Sequence, residues 1–266
     1  MNHRGQTALV TGASSGIGYE LAKLFAQDGH NLVLVARSGE KLAQFAGDLE
    51  KRHGISARTV ALDLSSLPAP QFLSDQLQRE GVTVDMLVNN AAHGKYGSFA
   101  DVPLEESLGQ IQLNIAALTM LTRLFLPGMI ARHSGKILNV ASTAGFQPGP
   151  RMAVYYATKA YVISFSEALA NELRGSGVSV TCLCPGPTLT NFQKRAEVEN
   201  SRLFKQFGPM DASTVARDGY RALMSGKTLK ISGAKNWLVA ESVRFSPRRM
   251  VTAVSGWVAG KKSTKE

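Results

Sequence analysis

The feature that most constrains the fold is a regular alternation of short apolar segments with longer segments of helical periodicity. Six segments rich in Val, Leu and Ile are predicted to be β-strands: Thr7–Thr11, Asn31–Ala36, Arg58–Leu62, Asp85–Asn89, Lys136–Ala141 and Val178–Leu183. Several are apolar on both faces, which is typical of parallel strands covered by helices on each side. Repeated strand–helix–strand units therefore predict an α/β fold, doubly wound, with a mostly parallel central sheet and helices on both faces.

The segments between these strands carry helical patterns. The first helix has its apolar stripe at Ile17, Leu21, Leu24 and Phe25, and the second at Leu42, Phe45, Ala46 and Leu49. Gly29 stands where the C-terminal cap of the first helix belongs. Two longer helices are predicted over Leu104–Met129 and Met152–Arg174. No internal repeat divides the chain, and no Pro/Gly/Ser-rich linker interrupts it before residue 185.

Composition limits the class of protein. The 266 residues are 44% hydrophobic and 19% charged, which is ordinary for a globular protein and argues against disorder. A formal net charge of +10 is compatible with nucleic acid, an anionic membrane surface or an acidic ligand as partner, and we favour an enzyme with a basic surface. The sequence shows neither an aromatic–basic stacking platform nor zinc-finger spacing, so no nucleic acid partner is expected.

Two further properties bear on location. Cys182 and Cys184 alternate on one predicted strand, which gives neither a disulfide framework nor a metal-ligand cluster and fits a reducing compartment. No metal is expected. The first ten residues lack a signal-peptide core, and no run of about 18 uncharged apolar residues predicts a membrane-spanning helix. We therefore expect a cytoplasmic protein.

A glycine-rich turn follows the first strand. Gly12, Gly16 and Gly18 connect that strand to the first helix, and glycines allow a tight turn and close approach of backbone amides to a pyrophosphate. The start of the helix adds partial positive charge. Ser14 and Ser15 supply hydroxyl groups between the glycines. The context of strand before and helix after indicates a dinucleotide phosphate site on a Rossmann-type domain.

The end of the second strand indicates which dinucleotide. Arg37 stands where an acidic residue would bind a ribose 2′-hydroxyl, and its guanidinium instead suits a 2′-phosphate. NADP(H) is therefore favoured over NAD(H), with a solvated arginine as the alternative. Asp63, at the end of the third strand, has two open roles: contact with the adenine amino group, or a helix or turn cap.

A tyrosine and a lysine share one face of a predicted helix. Tyr155 and Lys159 are four residues apart. An unperturbed tyrosine has a pKa of about 10, but a neighbouring ammonium and an oxidised nicotinamide would stabilise the phenolate. Such a pair can donate a proton to a carbonyl oxygen during reduction or accept one during oxidation.

Two polar residues strengthen this interpretation. Ser142 follows the strand Lys136–Ala141 and has two open roles, holding a substrate oxygen or capping a turn. Asn114 lies in an otherwise apolar helix, where its amide needs a partner. It would either hold a water in a proton path or make a structural hydrogen bond.

Together these motifs closely resemble the short-chain dehydrogenase/reductase family, over about residues 5–192. The cofactor motif is Thr11 to Gly18, the Asn-Asn-Ala-Gly segment appears as Asn89-Asn90-Ala91-Ala92, and the Asn–Ser–Tyr–Lys tetrad matches Asn114, Ser142, Tyr155 and Lys159. The resemblance implies that Tyr155 is the general acid/base, that Lys159 binds the nicotinamide ribose and lowers the tyrosine pKa, that Ser142 polarises the carbonyl, and that Asn114 anchors a water relay.

The resemblance also implies a set of cofactor contacts. Besides the glycine-rich turn with Ile17, and besides Arg37, Tyr155 and Lys159, these are Asp63 and Leu64 at the adenine, Asn90 and Ala91 beside the cofactor, Pro185 and Gly186, and Thr188 and Thr190 at the carboxamide and phosphate. The implied activity is NADP(H)-dependent interconversion of a carbonyl, ketone or aldehyde, and an alcohol. The alternative is a non-catalytic NADP(H)-sensing or membrane-docking protein on the same fold.

The C-terminal part departs from the family's commonest pattern. We expect a catalytic domain over 1–245, with a substrate lid at about 187–211, followed by a basic amphipathic helix and tail over 246–266. Ser246 is expected to cap that helix and Pro247 to open it, with an apolar stripe at Met250, Val251, Val254, Trp257 and Val258. Residues 246–262 could contact an anionic membrane surface, cover the protein body or pair subunits. A homo-oligomer is expected, with a dimer favoured over a tetramer.

The substrate is not fixed by these motifs. Segments 93–99, 143–154 and 189–210 are expected to line its pocket. The aromatic and apolar residues among them favour an apolar small-molecule substrate: Phe99, Phe146, Met152, Phe192 and Phe207. A core-packing role accounts for each of them equally well.

Overall fold

Seven parallel strands form the central sheet of the computed structural model, which describes residues 5–198 and 208–260. In chain order the strands are β1 (Thr7–Thr11), β2 (Asn31–Ala36), β3 (Ala57–Ala61), β4 (Met86–Asn89), β5 (Gly135–Val140), β6 (Val178–Cys184), β7 (Thr188–Leu189), β8 (Met210–Asp211) and β9 (Leu229–Ile231). The sheet order is β3-β2-β1-β4-β5-β6-β9, and β7 pairs separately with β8. The direction of winding reverses between β1 and β4, which opens a crevice at the carboxyl ends of these strands.

Helices cover both faces of this sheet. They are α1 (Gly16–Gln27), α2 (Gly39–His53), α3 (Ala69–Arg79), α4 (Leu104–Ile111), α5 (Leu118–Ala131), α6 (Ala153–Glu172), α7 (Phe192–Ala196), α8 (Ala212–Met224), α9 (Ala234–Ser242) and α10 (Arg248–Ala259). One apolar core joins α1, α2 and α8 to one side of the strands, and a second joins α3, α5 and α6 to the other. The predicted doubly wound fold is therefore confirmed.

The two cores explain why the strands are apolar at consecutive positions. Along β1, Ala8 and Val10 are buried with Phe25 of α1, whereas Leu9 is buried on the opposite face with Leu73 of α3. Adjacent strand residues point to opposite faces, so a sheet with helices on both sides needs apolar side chains at every position. The six predicted strands are present, with ends that differ by at most one residue.

One helix runs against an expectation from the sequence. The 28-residue helical stretch Leu104–Ala131, made of α4, a π-helical turn at Gln112–Ala117 and α5, is long and apolar enough to cross a membrane. Arg123 interrupts its apolar run. A core helix meets the same criteria of length and composition. The stretch packs against α3, α6 and the sheet, and 33% of its apolar window is buried.

The C-terminal helix begins later than expected. Ser246 does not cap α10, because its hydroxyl donates to the Ser242 carbonyl at 2.9 Å and Pro247 takes the N-cap position. The predicted apolar stripe also divides, since Met250, Val254 and Trp257 are more than half exposed. The face packed on the protein is formed instead by the small residues Ser255 and Ala259. Residues 261–266, including Lys261 and Lys262, lie outside the described residues.

Candidate active site

A cavity of about 700 Å³ lies at the carboxyl ends of the parallel strands. It extends from the glycine-rich turn after β1 to the start of α6. Tyr155 and Lys159 line it. Fifteen other predicted site residues line it as well: Gly12, Ser14, Ser15, Gly16, Ile17, Arg37, Asp63, Leu64, Asn90, Ala91, Ser142, Pro185, Gly186, Thr188 and Thr190. Gly18 and Asn114 do not line it. The fold thus brings residues that are far apart in sequence into one crevice.

The glycine-rich turn has little free space around it. A Cβ at Gly12 would lie 2.8 Å from Asn90 Nδ2, and one at Gly18 would lie 2.4 Å from the same atom. Gly12 and Gly16 also have positive φ angles of 65° and 62°, which favour glycine. Gly18 therefore acts as a packing residue behind the turn. Gly18 does not line the cavity, so its predicted contact with a cofactor is not seen.

Hydrogen bonds tie this turn to the end of β4. Asn90 Nδ2 donates to the Thr11 carbonyl at 2.8 Å, and the Thr11 hydroxyl accepts from the Asn90 and Ala91 amides. One layer below, Asn89 Nδ2 donates to Asn139 Oδ1 at 2.9 Å. The predicted Asn-Asn-Ala segment thus joins the end of β4 to the turn after β1 and to β5. Asn90 also lines the cavity.

The helix start beside this turn is suited to an anion. Helix α1 begins at Gly16, its first turn contains no acidic residue, and the Ser15 side chain makes no capping hydrogen bond. The first amides of a helix have no partner within it, so they attract negative charge. The Ser14 and Ser15 side chains line the same part of the cavity. The donor set therefore fits the phosphates of a dinucleotide.

Arg37 and Asp63 lie together at the far end of this region. Asp63 Oδ1 accepts hydrogen bonds from the Ser65 amide at 3.0 Å and hydroxyl at 2.7 Å, so its role as a turn cap is seen. Burial acts to raise the pKa of Asp63, but these bonds and the Arg37 guanidinium hold it below its ordinary value. The carboxylate stays ionised and faces Arg37, and both groups still line the cavity.

The predicted proton-transfer residues meet at the other end. Ser142 begins a 3₁₀ turn at Thr143–Phe146, where its oxygen accepts from the Ala144 amide at 3.1 Å, and it also hydrogen-bonds the Tyr155 hydroxyl. Lys159 is 3% exposed and donates to the Val140 carbonyl at 2.8 Å. Its Nζ lies 5.8 Å from the centre of the Tyr155 ring. The turn-capping role of Ser142 is therefore seen, and its role in holding a substrate oxygen stays a prediction.

Burial dominates the electrostatics of this pair. Loss of solvent raises the pKa of Tyr155 well above its ordinary value, although the hydrogen bond to Ser142 acts to lower it. Burial also lowers the pKa of Lys159 to about 8, against a smaller opposing effect of Cys182 and Cys184. In the protein alone the tyrosine is therefore a protonated acid. The expected acidification by Lys159 is not seen there, since burial, Ser142 and Tyr156 are what shift the Tyr155 pKa.

Asn114 lies behind the cavity wall, in the π-helical turn. Its Oδ1 accepts from the His93 amide at 2.9 Å, and its Nδ2 donates to the His93 carbonyl at 2.8 Å and to Thr158 Oγ1 at 3.0 Å. Both amide hydrogens are therefore used in structural bonds. The structure places Asn114 where it fixes the His93 backbone, and a water relay through it stays a prediction.

The substrate end of the cavity is apolar and assembled from distant segments. It is lined by Tyr96, Met152, Tyr156, Phe192, Val198 and Ala259. The Phe192 ring lies 5.2 Å from the Tyr155 ring, and Tyr96 Oη donates to the Ala259 carbonyl at 3.0 Å. Helix α10 therefore packs on the protein body and closes one wall of the cavity.

The expected aromatic residues are only partly found there. Met152 and Phe192 line the cavity, but Phe99 is 68% exposed, and Phe146 packs against another apolar cluster. Their predicted pocket-lining role is therefore wrong. Phe207 lies outside the described residues, as do Leu203 and Phe204 of the predicted lid.

Titratable residues that the sequence analysis did not single out also line the cavity, although His93 and Arg195 lie in segments that were expected to line the pocket. His93 Nε2 lies 2.6 Å from Glu106 Oε2 of α4, and Arg195 of α7 lies near Arg37. Spacing of 13 and 158 residues gives no local signal for either pair. The described part of the chain contains no group of three or more His, Cys, Asp or Glu side chains arranged to hold a metal ion.

The glycine-rich turn, Arg37 and the Ser142–Tyr155–Lys159 group thus line one cavity. The family model for short chain dehydrogenase matches residues 6–201. The chain therefore belongs to the short-chain dehydrogenase/reductase family.

Known relatives and structures agree with this assignment. A very-long-chain 3-oxoacyl-CoA reductase of Phaeosphaeria nodorum is 39% identical over 184 residues, 68% of this chain and 54% of the relative. The chain thus spans about half the length of this relative. A Sphingobium yanoikuyae short-chain dehydrogenase in complex with NADPH is 31% identical, with a TM-score of 0.81 and coverage of 90% and 94%. A Burkholderia phymatum family member in complex with NAD is 26% identical, with a TM-score of 0.80 and coverage of 91% and 93%.

Proposed function

We propose that this chain is an NADPH-dependent reductase of a 3-oxoacyl thioester with a long apolar chain, in which Tyr155 donates the proton to the ketone oxygen. The observation that carries the proposal is the position of Tyr155, which lies beside Ser142 between the glycine-rich turn and an apolar pocket, where burial keeps its hydroxyl protonated. A protonated acid is the form that reduction requires. The relatives named very-long-chain 3-oxoacyl-CoA reductase support the substrate class.

Each residue has a defined part in this proposal. The serines of the glycine-rich turn and the first amides of α1 bind the pyrophosphate, and Arg37 binds the 2′-phosphate. When bound, the reduced nicotinamide supplies the hydride. Ser142 and Tyr155 hold the ketone oxygen, and Tyr155 donates its proton as negative charge develops there. The Lys159 ammonium then stabilises the phenolate, because it lies beside the ring and is itself held by Val140.

An activity screen tests the substrate class. 3-Oxoacyl thioesters of increasing chain length, simple ketones and aldehydes should be compared by NADPH oxidation. We expect kcat/KM to rise with acyl length, because each methylene buried in the pocket contributes about 0.8 kcal/mol. Tight NADPH binding without turnover of any carbonyl would instead favour the non-catalytic sensing protein.

We also propose that the protein is cytoplasmic and contacts a membrane surface through α10. Met250, Val254 and Trp257 are exposed on one side of this helix, Phe245 just before it is 89% exposed, and Arg248 and Arg249 lie at its start. Apolar side chains flanked by arginines suit an anionic lipid surface. Ala259, on the opposite face of α10, lines the substrate end of the cavity, which supports entry of a lipid substrate from the membrane.

Vesicle binding tests this contact. The protein should sediment with anionic vesicles and much less with neutral ones, because the arginines contribute electrostatic attraction. The double change Met250→Ser and Val254→Ser should reduce sedimentation at least fivefold. Phe72→Ser, which removes an exposed apolar residue of α3, is the matched control and should leave sedimentation unchanged.

The predicted dimer is supported by a second exposed stripe. Leu104, Leu108 and Ile111 are exposed at helical spacing along α4. We propose that this stripe pairs subunits. Light scattering should give the mass of a dimer for the native chain and that of a monomer for Leu108→Glu, whereas a tetramer of the native chain would contradict the proposal. We propose that the predicted lid at 187–211 covers the cavity, because residues of its described part, including Phe192 and Arg195 of α7, line it.

A further inference from the structure

Two arginines from distant parts of the chain line the same end of the cavity. Arg37 follows β2 and Arg195 belongs to α7, and both side chains line the cavity. Partial burial and the Arg37 guanidinium lower the pKa of Arg195. Both arginines keep solvent-exposed side chains, so water screens part of their repulsion, and an anion bound between them would offset the rest. The proximity of the two guanidinium groups therefore requires an explanation.

The position of Arg195 is fixed by the structure around it. The buried Gln193 side chain donates to the Thr188 carbonyl and accepts from the Thr190 amide. The Tyr96 amide donates to the Ala196 carbonyl at 3.0 Å. Helix α7 is thus anchored on both sides of Arg195. These contacts fix the backbone of α7, and the exposed Arg195 side chain interacts electrostatically with Arg37.

The acidic groups of the cavity do not balance this pair. Asp63 is the acidic lining residue that interacts with Arg37, and one of its oxygens already accepts two hydrogen bonds from Ser65. Glu105 and Glu106 line the cavity from α4, where Glu106 pairs with His93. Among the described lining residues, one carboxylate therefore faces two guanidinium groups, which leaves net positive charge.

Resting on the proposed function, we infer that Arg195 is a second ligand of the NADP(H) 2′-phosphate, which it binds together with Arg37. A phosphate monoester carries about 1.5 to 2 negative charges at neutral pH and accepts several hydrogen bonds, so it matches two guanidinium groups. The same lid segment places Phe192 against Tyr155 and the Thr190 methyl against Gly16.

Cofactor binding, measured without substrate, tests this inference. Dissociation constants for NADPH and NADH should be determined by nicotinamide fluorescence for the native protein, Arg195→Ala, Arg37→Ala and the double variant. We expect Arg195→Ala to weaken NADPH binding about tenfold, the size of one charge-assisted hydrogen bond, and to change NADH binding less than twofold. The double variant should lose less than the product of the single losses, because both side chains bind one phosphate.

Control variants separate the outcomes. Lys194→Ala removes the neighbouring cation, which does not line the cavity, and should change neither constant. Arg195→Lys should recover part of the lost affinity, and retained NADH binding shows that a variant is folded. Equal weakening of NADPH and NADH would assign Arg195 to the shared pyrophosphate and overturn the inference, as would no effect at all. An unchanged NADPH/NADH ratio in Arg37→Ala would instead contradict the cofactor assignment of the proposed function.

Discussion

The two ends of the cavity are built in different ways. At the cofactor end, strand ends and the glycine-rich turn meet through short backbone contacts, such as that between Asn90 and the Thr11 carbonyl. At the substrate end, short helices and loops meet across long separations, such as that between Tyr96 and Ala259. At the cofactor end, close packing leaves little space for larger side chains. The substrate end is joined by a few contacts at the edge of the fold. Cofactor geometry and substrate choice can therefore vary independently.

The largest effect is expected from Gly18→Ala at the cofactor end. The added Cβ would lie 2.7 Å from the Gly12 carbonyl oxygen and 2.4 Å from Asn90 Nδ2, so the bonds that Asn90 makes to the turn must break. We expect a loss of about 3 kcal/mol in the free energy of unfolding, measured by urea denaturation. Gly47→Ala in α2, where a Cβ meets nothing within 4 Å, is the control and should be neutral or stabilising. Equal losses in the free energy of unfolding of Gly18→Ala and Gly47→Ala would contradict the claim that the glycine-rich turn is closely packed.

Lys159 lies between the cofactor end and the substrate end, and Lys159→Met tests what its buried charge costs in stability and contributes to turnover. The fall in the Lys159 pKa from 10.5 to about 8 corresponds to about 3 kcal/mol of burial penalty. Removing the charge should therefore raise the free energy of unfolding by about 2 kcal/mol at pH 7, after about 1 kcal/mol is lost with the bond to Val140. Turnover should fall at the same time, because the phenolate loses its cation.

The pH dependence gives a second measure of Lys159. Between about pH 8 and 10.5 the unfolded chain keeps the lysine proton and the native chain does not, so native stability rises with pH in that interval. The advantage of Lys159→Met over the native protein should be largest below pH 8 and shrink above it. A difference that stays constant across this range would show that Lys159 is not titrated as described.

A smaller effect is expected from Phe192→Ala at the substrate end. The ring packs beside Tyr155 but remains partly exposed. We expect KM for a long-chain substrate to rise about fivefold to tenfold, about 1 kcal/mol, while the NADPH dissociation constant changes less than twofold. Phe99→Ala is the control, since Phe99 is 68% exposed and should leave both constants unchanged. A weaker affinity for NADPH in Phe192→Ala would show that the two ends are not independent.

Local patterns predicted the cofactor end well. The strand, glycine-rich turn and helix at residues 7–27 form one continuous segment, so apolar periodicity and turn chemistry are sufficient to predict them. Tyr155 and Lys159 share a face because helical spacing requires it. Ser142 reaches them because parallel strands end at the same edge of the sheet.

The substrate end was predicted poorly because long-range contacts decide it. Phe99 was expected in the pocket and lies exposed, while Ala259, which has no chemical signal, forms part of the wall. Arg195 meets Arg37 only because Gln193 and Tyr96 anchor α7. The capping role of Ser246 failed because the Ser242 carbonyl is the nearer partner of its hydroxyl. At these positions the residue type alone does not indicate which distant residue will lie beside it.

The central claim is that the Tyr155 hydroxyl donates the proton in NADPH-dependent reduction of a ketone. The most direct measurement compares kcat for a 3-oxoacyl thioester in the native protein and Tyr155→Phe, with the NADPH dissociation constant measured on the same samples. We predict that kcat falls at least a thousandfold, within the range typical of general acid catalysis, while NADPH binding changes less than threefold. Retained turnover in Tyr155→Phe would contradict the account.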